Sequence, residues 1–221
     1  MTVENRAGFK YLAPKYYLII LSAFYLVGII AHLIPETYPL MLKLTPFVLV
    51  LSAFSAFYPF MRSGGGKTLI WGAAVFIFTF FIEAAGTASG IIFGSYTYGD
   101  TLGLKILGVP PVIALNWVLV IAGLLHWLGK TVKSTLAVVL LSGLGAVLFD
   151  FIMEPVAVSY SYWTWAGNVI PIRNYISWAV IAALAALLWT ILKPAKPGVY
   201  PGYLLIVQFV FFLVLRISFL L

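Results

Sequence analysis

The sequence predicts an all-α, polytopic integral membrane protein: a bundle of about seven transmembrane helices carrying a re-entrant or lid segment. Hydrophobic residues make up 63% of the 221 and charged residues only 9%, far from the balance of a water-soluble domain. Apolar runs close to the length that crosses about 30 Å of hydrocarbon recur along the whole chain. Little chain lies between them, so residues 1–221 read as a single transmembrane domain.

The first span, Tyr17–Ile34, follows a polar stretch, MTVENRAGFKYLAPK, with no small-residue cleavage pattern; it is expected to be retained rather than removed as a signal. Leu44–Phe60 and Thr68–Ala85 come next, joined through Arg62–Thr68, RSGGGKT. That heptapeptide ends like a phosphate-binding loop, but the motif needs glycine where the chain has Met61 and a strand where it has a span. A flexible cytoplasmic turn is expected there. The fourth span, Val112–Leu128, carries Asn116 and Trp117 near its start, and the fifth, Ser134–Met153, leads into Pro155, which is expected to break the helix. Tyr175–Leu192 and Tyr203–Leu221 complete the set.

Charge sets the orientation. Arg6, Lys10, Lys15, Arg62, Lys67, Lys130, Lys133, Lys193 and Lys196 fall on the N-terminal side, against Lys43, Lys105 and Arg173 on the other. The positive-inside rule therefore places the N-terminus in the cytoplasm and the C-terminus outside, in a cell membrane. The net charge of +7 is spread over short loops, which suits topology better than nucleic-acid binding. The absence of cysteine excludes disulfides and thiolate chemistry.

With this topology the polar residues meet at one depth. Glu83 lies near the outer end of the third span and Asp150 and Glu154 near that of the fifth, while Asn116 and Trp117 begin the fourth. Asp150 and Glu154 are four residues apart and so share a helix face. An acid within hydrocarbon costs roughly 2.5–3.5 kcal/mol on insertion scales, which makes an unused pair unexpected. Above them run the two longest outer connections, Gly86–Pro111 and Pro155–Asn174. The first spaces glycines among Tyr96, Tyr98 and Asp100, too regularly for a disordered linker; an ordered segment lining a cavity is expected. The second holds Tyr160, Tyr162, Trp163 and Trp165. Such rings belong at membrane interfaces, and beside carboxylates they also suit a cationic intermediate.

Other readings of these residues carry less. His32 and His126 fall on opposite sides of the membrane and show no zinc-ligand spacing, so no metal is expected. A magnesium site for a diphosphate would call for a second acidic segment with basic partners. A structural role for Glu154, as an interfacial hydrogen-bonding group, stays open.

FGSYTYGDTLGLKILGVPPVIALNW (Phe93–Trp117) and DFIMEPVAVSYSYWTW (Asp150–Trp165) together resemble the CruF-type carotenoid hydratase family. The motifs cover about a quarter of the chain, and the hydropathy and layout most of it. The resemblance implies a cofactor-independent enzyme that adds water across the terminal C=C of an acyclic carotenoid end group, giving a tertiary alcohol. Lycopene, γ-carotene and a bacterioruberin precursor are the substrates it implies. Its partners would be a carotenoid drawn sideways from the bilayer and water, with a second copy or other carotenoid-pathway enzymes as protein partners and no nucleic acid.

That chemistry needs an acid able to protonate an alkene, surroundings that tolerate a tertiary carbocation, and one held water. Burial and a neighbouring carboxylate both favour the protonated form of a carboxyl. On this reading Asp150 is the general acid, with Glu83 the competitor, and Glu154 or Glu83 holds and deprotonates the water. Tyr96, Tyr98, Trp163 and Trp165 flank the cation, with Tyr160, Tyr162 and Trp117 in the same substrate site. Asn116 and Asp100 order the water or the acid. A cyclase would form the same cation and lose a proton instead, and a non-catalytic carotenoid or lipid binder or a small transporter is the reading from another class.

Overall fold

A computed structural model describes residues 2–4, 10–194 and 198–220, with no side-chain detail at 3, 4, 10, 11 and 61–64. Arg6 and Lys196 therefore lie outside the described residues, as do the side chains of Lys10 and Arg62. Seven helices among the described residues are long and apolar enough to cross a membrane. They are α1 (Pro14–Leu33), α2 (Tyr38–Phe60), α3 (Gly65–Ser89), α4 (Pro111–Thr131), α5 (Thr135–Ser159), α6 (Ile172–Leu192) and α7 (Val199–Ser218). Two short ladders accompany them: β1 (Thr2–Glu4) against β2 (Lys10–Leu12), and β3 (Tyr96–Tyr98) against β4 (Trp163–Trp165).

Local chemistry explains the boundaries. Prolines stand at the first helical positions of α1 and α4, where the missing amide has no intrahelical partner to lose. Ser134 caps α5 by accepting from the Ala137 amide at 3.3 Å. Between α2 and α3 the helical run bends at Gly65, whose φ of 67° and ψ of −168° interrupt it, so RSGGGKT is a kink between spans. Gly90, left-handed at φ 65°, ends α3.

The polarity of the packing is that of a protein in lipid. Phe47, Phe54, Val27, Ile70 and Leu144 are exposed on the outside of the bundle, where hydrocarbon solvates them at no cost. Its middle is α4, whose residues from Trp117 to Gly123 are all buried. A helix apolar on every side belongs at such a centre.

Pro155 does not break α5, contrary to the sequence expectation; the helix continues to Ser159. Proline deprives the Phe151 carbonyl of its usual donor four residues on. Arg216 of α7 supplies another, with its guanidinium donating to that carbonyl and lying 4.2 Å from the Phe151 ring centroid. Proline is tolerated in membrane helices on this condition, that a neighbour satisfies the freed backbone group.

Candidate active site

The Gly86–Pro111 and Pro155–Asn174 connections form one lid. β3 and β4 pair antiparallel, Tyr96 opposite Trp165 and Tyr98 opposite Trp163. Strand alternation then turns all four rings inward and both threonines, Thr97 and Thr164, outward. The Ala166 amide donates to Ser95 and the Gly99 amide to Tyr162, extending the ladder at both ends. Only glycine fits at 99: an added Cβ would stand 2.1 Å from the Ser161 carbonyl oxygen.

The inward rings place their polar edges on the carboxylates. Glu83 of α3 accepts from the Tyr96 and Tyr98 hydroxyls on Oε2, at 2.5 and 2.8 Å, and from the Trp117 indole on Oε1 at 2.8 Å. Burial, then the charge of Glu83, holds both phenols above their usual range, so they stay protonated donors. Glu154 of α5 accepts both lid indoles, Trp163 and Trp165, on Oε2 at 3.0 Å each. Asn174, opening α6, donates to Asp150 Oδ2 at 2.6 Å and to Glu154 Oε1 at 3.3 Å. Asp150 Oδ1 is buried with no hydrogen-bond partner.

Glu83, Glu154, Asn116, Trp117 and Asn174 line a cavity of about 40 Å³ together with the lid rings and Tyr162. One ordered water needs roughly 10–15 Å³ by such a measure, so the space holds a water or two beside polar partners. Asp150 packs behind this wall rather than in it, joined to Glu154 through Asn174.

Two residues expected at the site are elsewhere. The Asp100 side chain is 97% exposed and pairs with Lys105 at 2.8 Å, and that bond and charge hold its carboxyl pKa below the usual carboxylate range. A solvated carboxylate paired with Lys105 does not reach a buried water; Lys105 also donates to the Tyr98 carbonyl and so braces the lid. Tyr160 lies off the cavity wall, stacked on His32 at 4.9 Å. His32 and His126 occupy opposite ends of the bundle, one beside Tyr160 and the other beside Trp127 near the start of α7.

Asn174 and Trp178 join the site without having been anticipated. Trp178 stacks on Trp117 with centroids 3.9 Å apart. The depth argument that gathers Glu83, Asp150 and Asn116 applies equally to the start of α6, and an amide there is the signal that marks Asn174.

A family model described as Carotenoid biosynthesis protein matches residues 44–220, which takes in every carboxylate and ring of the cavity. The chain belongs to that family. This carotenoid biosynthesis protein agrees with the CruF-type resemblance carried by its two lid segments. It is 30% identical over 155 residues to the bisanhydrobacterioruberin hydratase of Haloarcula japonica, covering 65% of this chain. It spans about half the length of that curated relative. No solved structure matches.

Proposed function

We propose that this carotenoid biosynthesis protein is a cofactor-independent hydratase of acyclic carotenoid ends. The observation that carries the reading is a small cavity with room for water, walled by two carboxyls on aromatic donors, in a chain similar to a hydratase. The end group enters under the lid while the remainder of the polyene stays in apolar surroundings.

The acid unit is the Asp150–Glu154 pair. Glu154, the member in the cavity wall, transfers its proton to the less substituted carbon of the terminal double bond, leaving a tertiary cation on its neighbour. Asp150 is a positioning residue that acts through Asn174 and keeps a proton on the pair. Glu83 is the base. Its carboxyl group is fixed in orientation by three donors at 2.5–2.8 Å. It keeps one acceptor position for a water hydrogen. Water adds to the cation through its oxygen, its surplus proton goes to Glu83, and return of that proton to Glu154 resets the site. The π-faces of the enclosing rings stabilise the cation, each by roughly 0.5–2 kcal/mol.

The test is expression in a host that accumulates lycopene, with chromatography and mass spectrometry of the pigments. A product heavier by one or two waters supports hydration. A new pigment of unchanged mass makes the chain a cyclase, and unaltered pigment contradicts activity on this end group.

A further inference from the structure

At the end of the bundle away from the lid, a cavity of about 380 Å³ lies between the end of α4, the start of α5 and the end of α6. That volume falls within the roughly 300–1,000 Å³ of small-molecule sites. Leu125 and His126 are its buried lining, while Gly129, Lys130, Lys133 and Thr135 are exposed and open it to the surface. None of its residues lines the carboxylate cavity.

The polar groups here suit an anion. Lys130 and Lys133 both line the cavity, and no carboxylate does. Of the six acidic residues, Glu36, Glu83, Asp100, Asp150 and Glu154 all belong to the lid end, and the side chain of Glu4 is outside the described residues. Lys130 Nζ stands 4.6 Å from the Trp127 ring centroid, which steadies the ammonium without neutralising it. The start of α5 adds to the positive field. Ser134 accepts from the Ala137 amide, and the amides of Thr135 and Leu136 before it have no intrahelical partner. The positive-inside rule accounts for lysines at this end of the bundle, but not for a cavity walled by two of them.

Apolar surface adjoins the cavity. Leu136 and Leu140 on α5, and Leu187 and Ile191 on α6, flank its lining residues in sequence, are spaced one turn apart on each helix and are exposed. A molecule with a phosphate and hydrocarbon chains satisfies both the lysines and these faces, whereas a soluble anion satisfies only the lysines. Basic pockets between transmembrane helices on the cytoplasmic side take lipid headgroups for this reason.

We propose that this cavity holds the phosphate of an anionic membrane lipid, with Lys130 and Lys133 pairing with its oxygens and the acyl chains lying along the exposed faces of α5 and α6. The partner is a phospholipid of net negative charge in the leaflet on the N-terminal side of the bundle.

The experiment reconstitutes the full chain in nanodiscs of equal parts phosphatidylglycerol and phosphatidylcholine, releases it into mild detergent and identifies the retained lipid by native mass spectrometry. Each lysine near a lipid surface is worth about fivefold in affinity, so phosphatidylglycerol should be retained over phosphatidylcholine by about tenfold or more. Lys130→Gln together with Lys133→Gln should abolish that preference, and Lys130→Arg with Lys133→Arg should keep it. Lys15→Gln with Lys67→Gln removes the same charge from the same end outside the cavity and should also keep it. An unchanged unfolding midpoint in phosphatidylcholine discs shows that the variants fold. Equal retention of the two lipids by the unaltered chain overturns the proposal. So does an equal loss in both glutamine pairs, which makes the preference one of overall charge. Displacement of the retained lipid by inorganic phosphate at matched ionic strength assigns the cavity to a free anion and overturns it as well.

Discussion

Glu83 and Glu154 differ in what holds them, and the difference governs how their variants should fail. Glu83 rests on two phenols and an indole at 2.5–2.8 Å, whereas Glu154 has two indoles at 3.0 Å and a longer amide bond. In the proposed mechanism Glu154→Gln removes the proton donor and Glu83→Gln the base, and each should slow hydration by about 100- to 10,000-fold while pigment binding is kept. Asp150→Asn should slow it too, but the double variant with Glu154→Gln should be no slower than Glu154→Gln alone, because Asp150 acts through that residue. Turnover of pigment by purified variants checks all three. Asp100→Asn should leave turnover within about twofold, as solvated surface groups usually do. The carboxylates were legible in the sequence because an acid in an apolar run stands out. The exclusion of Asp100 was not, since its motif neighbours Tyr96 and Tyr98 are both in the site and only the turn after Gly99 carries it out to solvent.

The helices and the lid were legible to different degrees. Each span announces itself by a local apolar run, so all seven were placed, with the start of α2 and the end of α5 each six residues short. The β3–β4 ladder joins segments on either side of two intervening helices, α4 and α5, and nothing local in YTY or WTW names the other as its partner. Proline showed the reverse error, since its local rule predicts a break at 155 that Arg216, from another helix, prevents. Arg216→Leu strands the Phe151 carbonyl and should destabilise the protein by about 1–3 kcal/mol, read as a lower unfolding midpoint in detergent. Gly99→Ala should act through the lid instead. With backbone only 2.1 Å from the new carbon the ladder must shift, and turnover should fall by tenfold or more with α-helical content unchanged by circular dichroism.

For the molecule as a whole, one bundle holds a carboxylate-lined cavity beneath the lid at one end while offering exposed apolar surface along its sides. The end that carries the lid is expected outside, from the distribution of lysine and arginine. Because the chain has no cysteine, Asp100→Cys creates a single reactive thiol in the exposed part of the lid. A membrane-impermeant maleimide should label it in intact cells; labelling only after the cells are opened would reverse the orientation.

The most direct measurement is to supply the purified protein in nanodiscs with lycopene or a hydroxylated acyclic carotenoid in ¹⁸O-labelled water, and to determine the mass of the product. The account predicts a tertiary alcohol whose new oxygen carries the label, formed without any added cofactor and lost in Glu154→Gln. A product of unchanged mass, or an alcohol with unlabelled oxygen, would contradict it.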